Sequence, residues 1–275
     1  MSVKSPLRQR LNEYFLEIQL TKKKHIVVEG RTDQRFFRAW LDDIGGSAVE
    51  VAVTCVESLD VPVGEILSLG LTEGQRGRVV VVGAKSSNEG VDIRCVADRD
   101  CGTDVNDHEY TNLVWTDYPA IESYVVERGA LDKANLLSFG GVLPDGDELL
   151  EGLSFALGEL FAVRRRHPSL SRPNYKAGLP KRSKLHDFDV KRAVDVSLRP
   201  LVDGYERPSD SDPRHYAYGH DVGELLLAAY GNEIQNKAGL RTLMAVEGAL
   251  RSAIHASRVF ACEPMFVALK RWIEQ

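Results

Sequence analysis

Acidic side chains stand at the ends of three apolar runs. Ile26-Val27-Val28 stops at Glu29, and Gly30 follows. The run from Ile93 to Ala97 stops at Asp98-Arg99-Asp100. In "LVWTDYPAIESY", Asp117 ends a third run and Glu122 comes a few residues later. Residues i and i+2 of an extended strand point to the same side, so the Asp-x-Asp pair is expected to present two carboxylates together. Carboxylates gathered closely repel one another unless a cation sits among them. Hard oxygen donors select Mg2+ or Mn2+ over zinc. Held by such acids, divalent ions neutralise a scissile phosphate and activate water, the chemistry of phosphodiester hydrolysis. Glu29 either takes the proton from that water or binds a metal itself; the sequence leaves both roles open. Each acid alone also suits a helix cap or a surface turn. Two acidic strand ends in one region are more specific than either.

The elements that must position these acids follow from periodicity. Residues 7–20 carry apolar residues at helical spacing. "KKKHIVVE" reads as a strand, "TDQRFFRAWLDDI" as a helix capped by Thr32 or Asp33, and "VEVAVTCV" as the next strand. "VGEILSLGL" reads as a short helical or irregular piece. "RGRVVVVGAKSSN" suits a strand by the propensity of its valines. The alternation with the better strand "VDIRCVADRD" favours a helix over residues 74–88 instead. "TNLVWT" is a further strand, and "PAIESYVVERG" a further helix with proline in its first turn. Alternating strands and helices imply a mostly parallel sheet, with ligands in the crevice at the strand C-termini. The expected fold class is therefore α/β: a mostly parallel four-stranded sheet flanked by helices over residues 1–130, with a mainly helical part over residues 131–275 that carries a basic loop.

That loop is the second candidate surface. Between Val163 and Arg192 there are ten Lys or Arg against two acids, so the segment carries +8 within a chain of net charge -5. Arg164, Arg165, Arg166, Arg172, Lys176, Lys181, Arg182 and Lys184, interleaved with Tyr175 and prolines, suit a phosphate backbone. They equally suit a solvated loop or an acidic partner. Lys22, Lys23 and Lys24 read as a solvated face. His220 and Asp221 stand at a helix start, where Asp221 suits an N-cap.

The 275-residue chain is 43% hydrophobic, enough for a full core. No apolar run approaches the ~20 residues needed to span a bilayer. The N-terminal stretch lacks the apolar region of a signal peptide, so a cytoplasmic location without membrane contact is expected. Cys55, Cys95, Cys101 and Cys262 form no CxxC pair, which argues against zinc ribbons and thioredoxin chemistry. No Walker A motif is present.

"VVEGRTD" followed by "VADRDCG" resembles the TOPRIM family of topoisomerases, primases and OLD-type nucleases. The resemblance covers residues 22–128. "VEGRTDQRFF", "VADRDC", "TDYPAIESY" and "GHDVGELL" are most similar to the stand-alone TOPRIM effector of PARIS anti-phage systems. The resemblance implies that Glu29 does acid or base work and that Asp98 and Asp100 bind metal. It implies that Glu122 completes a metal site, that Gly30 allows a tight turn beside it, and that His220 supports catalysis. It also implies a toxic effector that cuts nucleic acid, RNA such as tRNA or else DNA, under the control of an ABC-type ATPase partner, with a homodimer as a further expectation. Without the other domains of a topoisomerase or replicative primase, hydrolysis is the expected reaction. Three alternatives stay open: a non-catalytic TOPRIM module that binds nucleic acid or a partner protein, a primase-like enzyme that makes bonds, and a phosphate-accepting regulator.

Overall fold

The computed structural model describes residues 8–45, 51–102, 104–168, 170–180, 184–206, 208 and 212–275. By contacts the chain forms two compact units. The first comprises residues 1–98, 104–116 and 264–275, and the second residues 99–103 and 117–263. The division therefore does not follow a single cut near residue 130. The chain leaves the sheet unit after Asp98 and Thr116, and its last helix returns to it.

The first unit is α/β. Strands β2 (Lys24–Val28), β3 (Val51–Cys55), β5 (Ile93–Ala97) and β6 (Leu113–Trp115) form a parallel sheet in the order β3-β2-β5-β6. β1 (Gln9–Arg10) and β4 (Leu59–Asp60) make a separate two-stranded parallel pair. Ile26, Val27 and Val28 are almost wholly buried, as a parallel strand covered on both faces requires. Val27, Ile93, Cys95 and Leu113 join one core with α1 (Leu11–Thr21) and α4 (Gln75–Glu89).

α4 settles the ambiguous valine run: Val79 to Val82 are helical and all buried. β-branched residues weaken isolated helices, but tertiary burial outweighs that weak preference. Gly83 lets the helix approach closely, because a Cβ there would lie 3.2 Å from Leu113 Cβ and 3.5 Å from Cys95 Cβ.

A second aromatic cluster joins α2 (Arg31–Asp43) to α12 (Pro264–Glu274). Phe37 stacks on Phe266 at 5.9 Å, and Trp40 meets the same ring at 5.5 Å. Lys24, expected on a solvated face, caps the end of α12: its Nζ donates to the Ile273 carbonyl at 2.9 Å and to the Trp272 carbonyl. A cation at a helix C-terminus meets the negative end of the helix dipole.

The second unit is helical. α6 (Gly146–Arg166) buries Leu149, Leu153, Leu157 and Leu160 at helical spacing and packs on α5 (Arg128–Leu137) and α10 (Gly219–Asn236). α11 (Leu243–Ser257) packs on α5 and α10. α10 contains a non-helical residue at Tyr230. "PAIESYVVERG" makes only a five-residue 3-10 turn, Ile121–Val125. All five side chains of that turn are buried, and Ser123 Oγ, donating to the Ala217 carbonyl at 2.6 Å, ties it down from outside. Two short helices, α7 (Tyr175–Gly178) and α8 (Val190–Ala193), punctuate the expected loop, and α9 (Arg199–Val202) follows. Among the described residues, no helix is long and apolar enough to cross a membrane.

Candidate functional site

The sheet unit brings Glu29 and Asp98 together. Glu29 directly follows β2 and Asp98 directly follows β5, two neighbouring parallel strands. Glu29 Oε1 accepts the backbone N–H of Asp98 at 2.8 Å. β3 lies on one side of β2 and β5 on the other, so the strand order reverses between β2 and β5. In open α/β sheets that reversal opens the crevice where ligands bind. Both acids are half-buried, within reach of solvent.

The local sequence explains why the acids stop there. Gly30 serves as N-cap of α2, and its N–H donates to Asp33 Oδ2 at 3.0 Å. The expected caps, Thr32 and Asp33, instead lie inside the helix, with Asp33 reaching back from the third position. Gly30 has φ -126° and ψ 169°, an extended backbone that other residues also adopt. What favours glycine is space, because a Cβ would lie 3.3 Å from Asp33 Oδ2. Cys55 Sγ, at the end of β3, donates to the Glu29 carbonyl at 3.5 Å. Burial raises the Cys55 thiol pKa, so it stays protonated at neutral pH.

Arg76, on the first turn of α4, carried no signal in the sequence. Its Nε donates to the Asp98 carbonyl at 2.8 Å. Its two terminal nitrogens grip the Asp104 carboxylate at 2.8 and 2.7 Å, and the guanidinium lies over the Trp115 ring, 4.8 Å from its centroid. The Arg76 hydrogen bonds hold the Asp104 pKa below the usual carboxylate range. Both backbone polar groups of Asp98 are thus fixed, the N–H by Glu29 and the carbonyl by Arg76.

The other expected site residues belong to the second unit. Asp100 adopts φ 51°, in the left-handed region, and its N–H donates to the Pro119 carbonyl at 2.9 Å. The extended-strand argument for a same-side Asp98-Asp100 pair therefore fails locally, because β5 ends at Ala97 and the chain turns. Asp117 Oδ2 accepts from the buried Tyr124 hydroxyl at 2.8 Å. Glu122 is buried and forms an ion pair with Arg251. His220 Nδ1 lies 3.0 Å from Glu247 Oε1, and that contact raises the imidazole pKa.

Asp221 does not cap α10, whose N-cap is Tyr218. Its side chain is 1% exposed and receives two hydrogen bonds from Arg164, at 2.9 and 2.7 Å, and one from the Tyr175 hydroxyl at 2.5 Å. Burial lowers the Arg164 pKa, but the Asp221 contacts outweigh it, so the guanidinium stays charged. One turn along, Glu224 pairs with Arg172. Two of the basic residues expected on nucleic acid are therefore engaged by acids of α10. Lys184 pairs with Glu148 at 2.7 Å. Arg165, Arg166 and Lys176 are exposed, while Lys181 and Arg182 lie outside the described residues. All four cysteines are free thiols.

Among the described residues, no three His, Cys, Asp or Glu side chains converge as a ready-made metal cage. The Glu29-Asp98 pair still fits a magnesium-like ion in donor type. Mg2+ is held by one or two carboxylates and completes its octahedron with water and substrate phosphate. Searches against protein-family models and curated proteins find no match to this chain.

Proposed function

We propose that the chain is a divalent-metal-dependent nuclease of the TOPRIM type, hydrolysing phosphodiester bonds in RNA such as tRNA or in DNA. One observation carries the reading: two acids 69 residues apart in sequence end the neighbouring strands where the sheet order reverses, joined by a hydrogen bond. A divalent ion bound there supplies charge neutralisation at the scissile phosphate and a more acidic water. Asp98 offers a carboxylate on a backbone fixed at both polar groups. Glu29, anchored through one oxygen, takes a proton or shares the ion. Cys55, kept protonated by burial, does not compete as a soft ligand. The roles given to Asp100, Glu122 and His220, the effector role in anti-phage defence and the ATPase partner are supported by the resemblance alone.

A second reading, a non-catalytic module that binds nucleic acid or a partner protein, draws on the Glu122-Arg251 ion pair, an acid serving structure. Purified protein incubated with Mg2+ or Mn2+ and plasmid, single-stranded DNA or total tRNA separates the two. Metal-dependent products that disappear in Glu29→Gln support the nuclease. No product from any substrate, or products indifferent to that substitution, sinks it.

A further inference from the structure

Three arginines border one cavity of the helical unit, two from the basic segment that are paired with acids and one from beyond it. Segments 170–174 and 192–199 of the helical unit enclose about 230 Å3. Their backbones are joined by the Asn174 N–H donating to the Ala193 carbonyl at 2.7 Å. Three arginines line the space, Arg172, Arg192 and Arg199, together with Ser171, Asn174 and Asp195. Glu224 holds Arg172, and Asp189 lies 3.1 Å from Arg192 Nε in an exposed pair of little strength. Arg199 is exposed and makes no ion pair among the described residues. The single acid, Asp195, is approached by the Ser171 hydroxyl at 3.4 Å.

We propose that this cavity binds a phosphate group. Three guanidinium groups line the cavity against one carboxylate; Glu224 and the exposed Asp189 partly answer two of them, and Arg199 offers its charge without an acid among the described residues. Guanidinium forks match phosphate oxygens in pairs, and the half-neutralised Arg172 is already held in place by its acid. The volume is about 230 Å3. That suits a phosphate with part of its hydration and falls below the ~300 Å3 at which pockets for whole organic ligands begin. Arg192 closes the basic segment 163–192, and Arg199 lies beyond it. The strand-binding form of the proposal deepens and rests on the nuclease reading; the binding of phosphate itself does not.

The test uses the full chain carrying Glu29→Gln, so that strands survive the measurement. Fluorescence anisotropy follows a short single-stranded RNA with a 5′-phosphate, the same strand with a 5′-hydroxyl, and competition by inorganic phosphate. Adding Arg192→Glu and Arg199→Glu together is expected to weaken strand binding roughly tenfold or more at low salt. It should also flatten the salt dependence by about 0.7 in log-log slope for each phosphate of a single strand that the protein no longer neutralises. A control with equal charge change, Arg10→Glu with Lys270→Glu, is expected to bind as the parent does. A stronger 5′-phosphate strand identifies a terminal phosphate as the source, equal strands an internal backbone phosphate, and competition by inorganic phosphate alone a free anion. If the double variant melts early, Arg199→Gln gives the same readout at an exposed side chain without an ionic partner among the described residues. Unchanged binding of strand and phosphate in a folded variant overturns the proposal. Abolished phosphate binding in a chain whose wild type cleaves nothing leaves the cavity standing and removes the nuclease reading.

Discussion

The two units treat their carboxylates in opposite ways. In the sheet unit, Glu29 and Asp98 are half-exposed at strand ends, and the tie between them runs from a carboxylate to a backbone N–H. In the helical unit, Asp221, Glu224 and Glu122 are buried, and each meets an arginine. A buried acid that spends its charge on a guanidinium stabilises a shape and has little left for a ligand. An acid near solvent that accepts from a backbone amide keeps its charge where water and ions can reach it. Under the proposed function, the contrast separates the acids offered to an ion from those held by arginines, although both kinds sit in motifs that look alike on paper.

The sharpest way to break the contrast is to neutralise one acid of each kind. Glu29→Gln keeps the oxygen that accepts the Asp98 N–H, so the fold should survive with a near-parental melting temperature. Metal-dependent cleavage should fall about 10²- to 10⁴-fold, the usual worth of a positioned acid-base group. A rate assay read beside a thermal melt checks both halves. A loss of stability without a loss of cleavage would move Glu29 to the architectural class.

Asp221→Ala should do the reverse. It leaves Arg164, whose side chain is only 11% exposed, as a buried charge without its partner, at a cost of about 3–5 kcal/mol. For a chain of this size that lowers the melting temperature by roughly 10 °C. Replacing both partners by apolar residues, Arg164→Met with Asp221→Leu, should recover most of the loss, because the penalty belongs to the unpaired charge. Calorimetry of the single and double variants measures it, and a single variant as stable as the parent would show that the pair carries no such burden.

What the sequence disclosed follows the same line. Period-2 and period-3.6 patterns are local, so the parallel sheet and the long helices were legible from residues close together, whereas the valine run needed the alternation of its neighbours to outweigh its own strand propensity. Glu29 and Asp98 were legible because a strand end is itself a local feature. Arg76 was not: nothing near it in sequence announces that it reaches Asp98 and Asp104, 22 and 28 residues on. Nor did the string "GHD" reveal that its aspartate faces Arg164, 57 residues away. The expectation for Asp100 lapses for a different reason. The same-side rule holds only while the chain stays extended, and its left-handed backbone ends that extension.

Arg76 sharpens the comparison from inside the sheet unit, since there an arginine holds the Asp98 backbone and the Asp104 carboxylate. Arg76→Ala should cost about 1–3 kcal/mol through the carboxylate and carbonyl it leaves unmet. Its partner gives the pH signature. The Asp104 pKa is depressed in the fold, so its contribution is present above the ordinary value of ~3.9 and lost as pH falls through the lower folded value. Asp104→Asn should therefore be less stable than the parent at neutral pH, with the difference closing in acid. Melts across that range decide it, and a gap that persists unchanged at the acid end would show that the ionised carboxylate is not what Arg76 holds.

The smallest effect concerns His220, which stands at the edge of the architectural class: its side chain is 67% exposed, yet it faces Glu247. The contact raises its pKa. A raised histidine contributes stability that is complete below its unfolded value of ~6.5 and disappears as pH rises through the folded value. Exposure keeps the contribution below ~1 kcal/mol. His220→Gln should thus melt slightly below the parent in mild acid and together with it in alkali, and the same variant should leave cleavage almost untouched if the histidine serves the helix pair alone. A cleavage loss at every pH, without any change in the melts, would instead move His220 across to join Glu29 and Asp98.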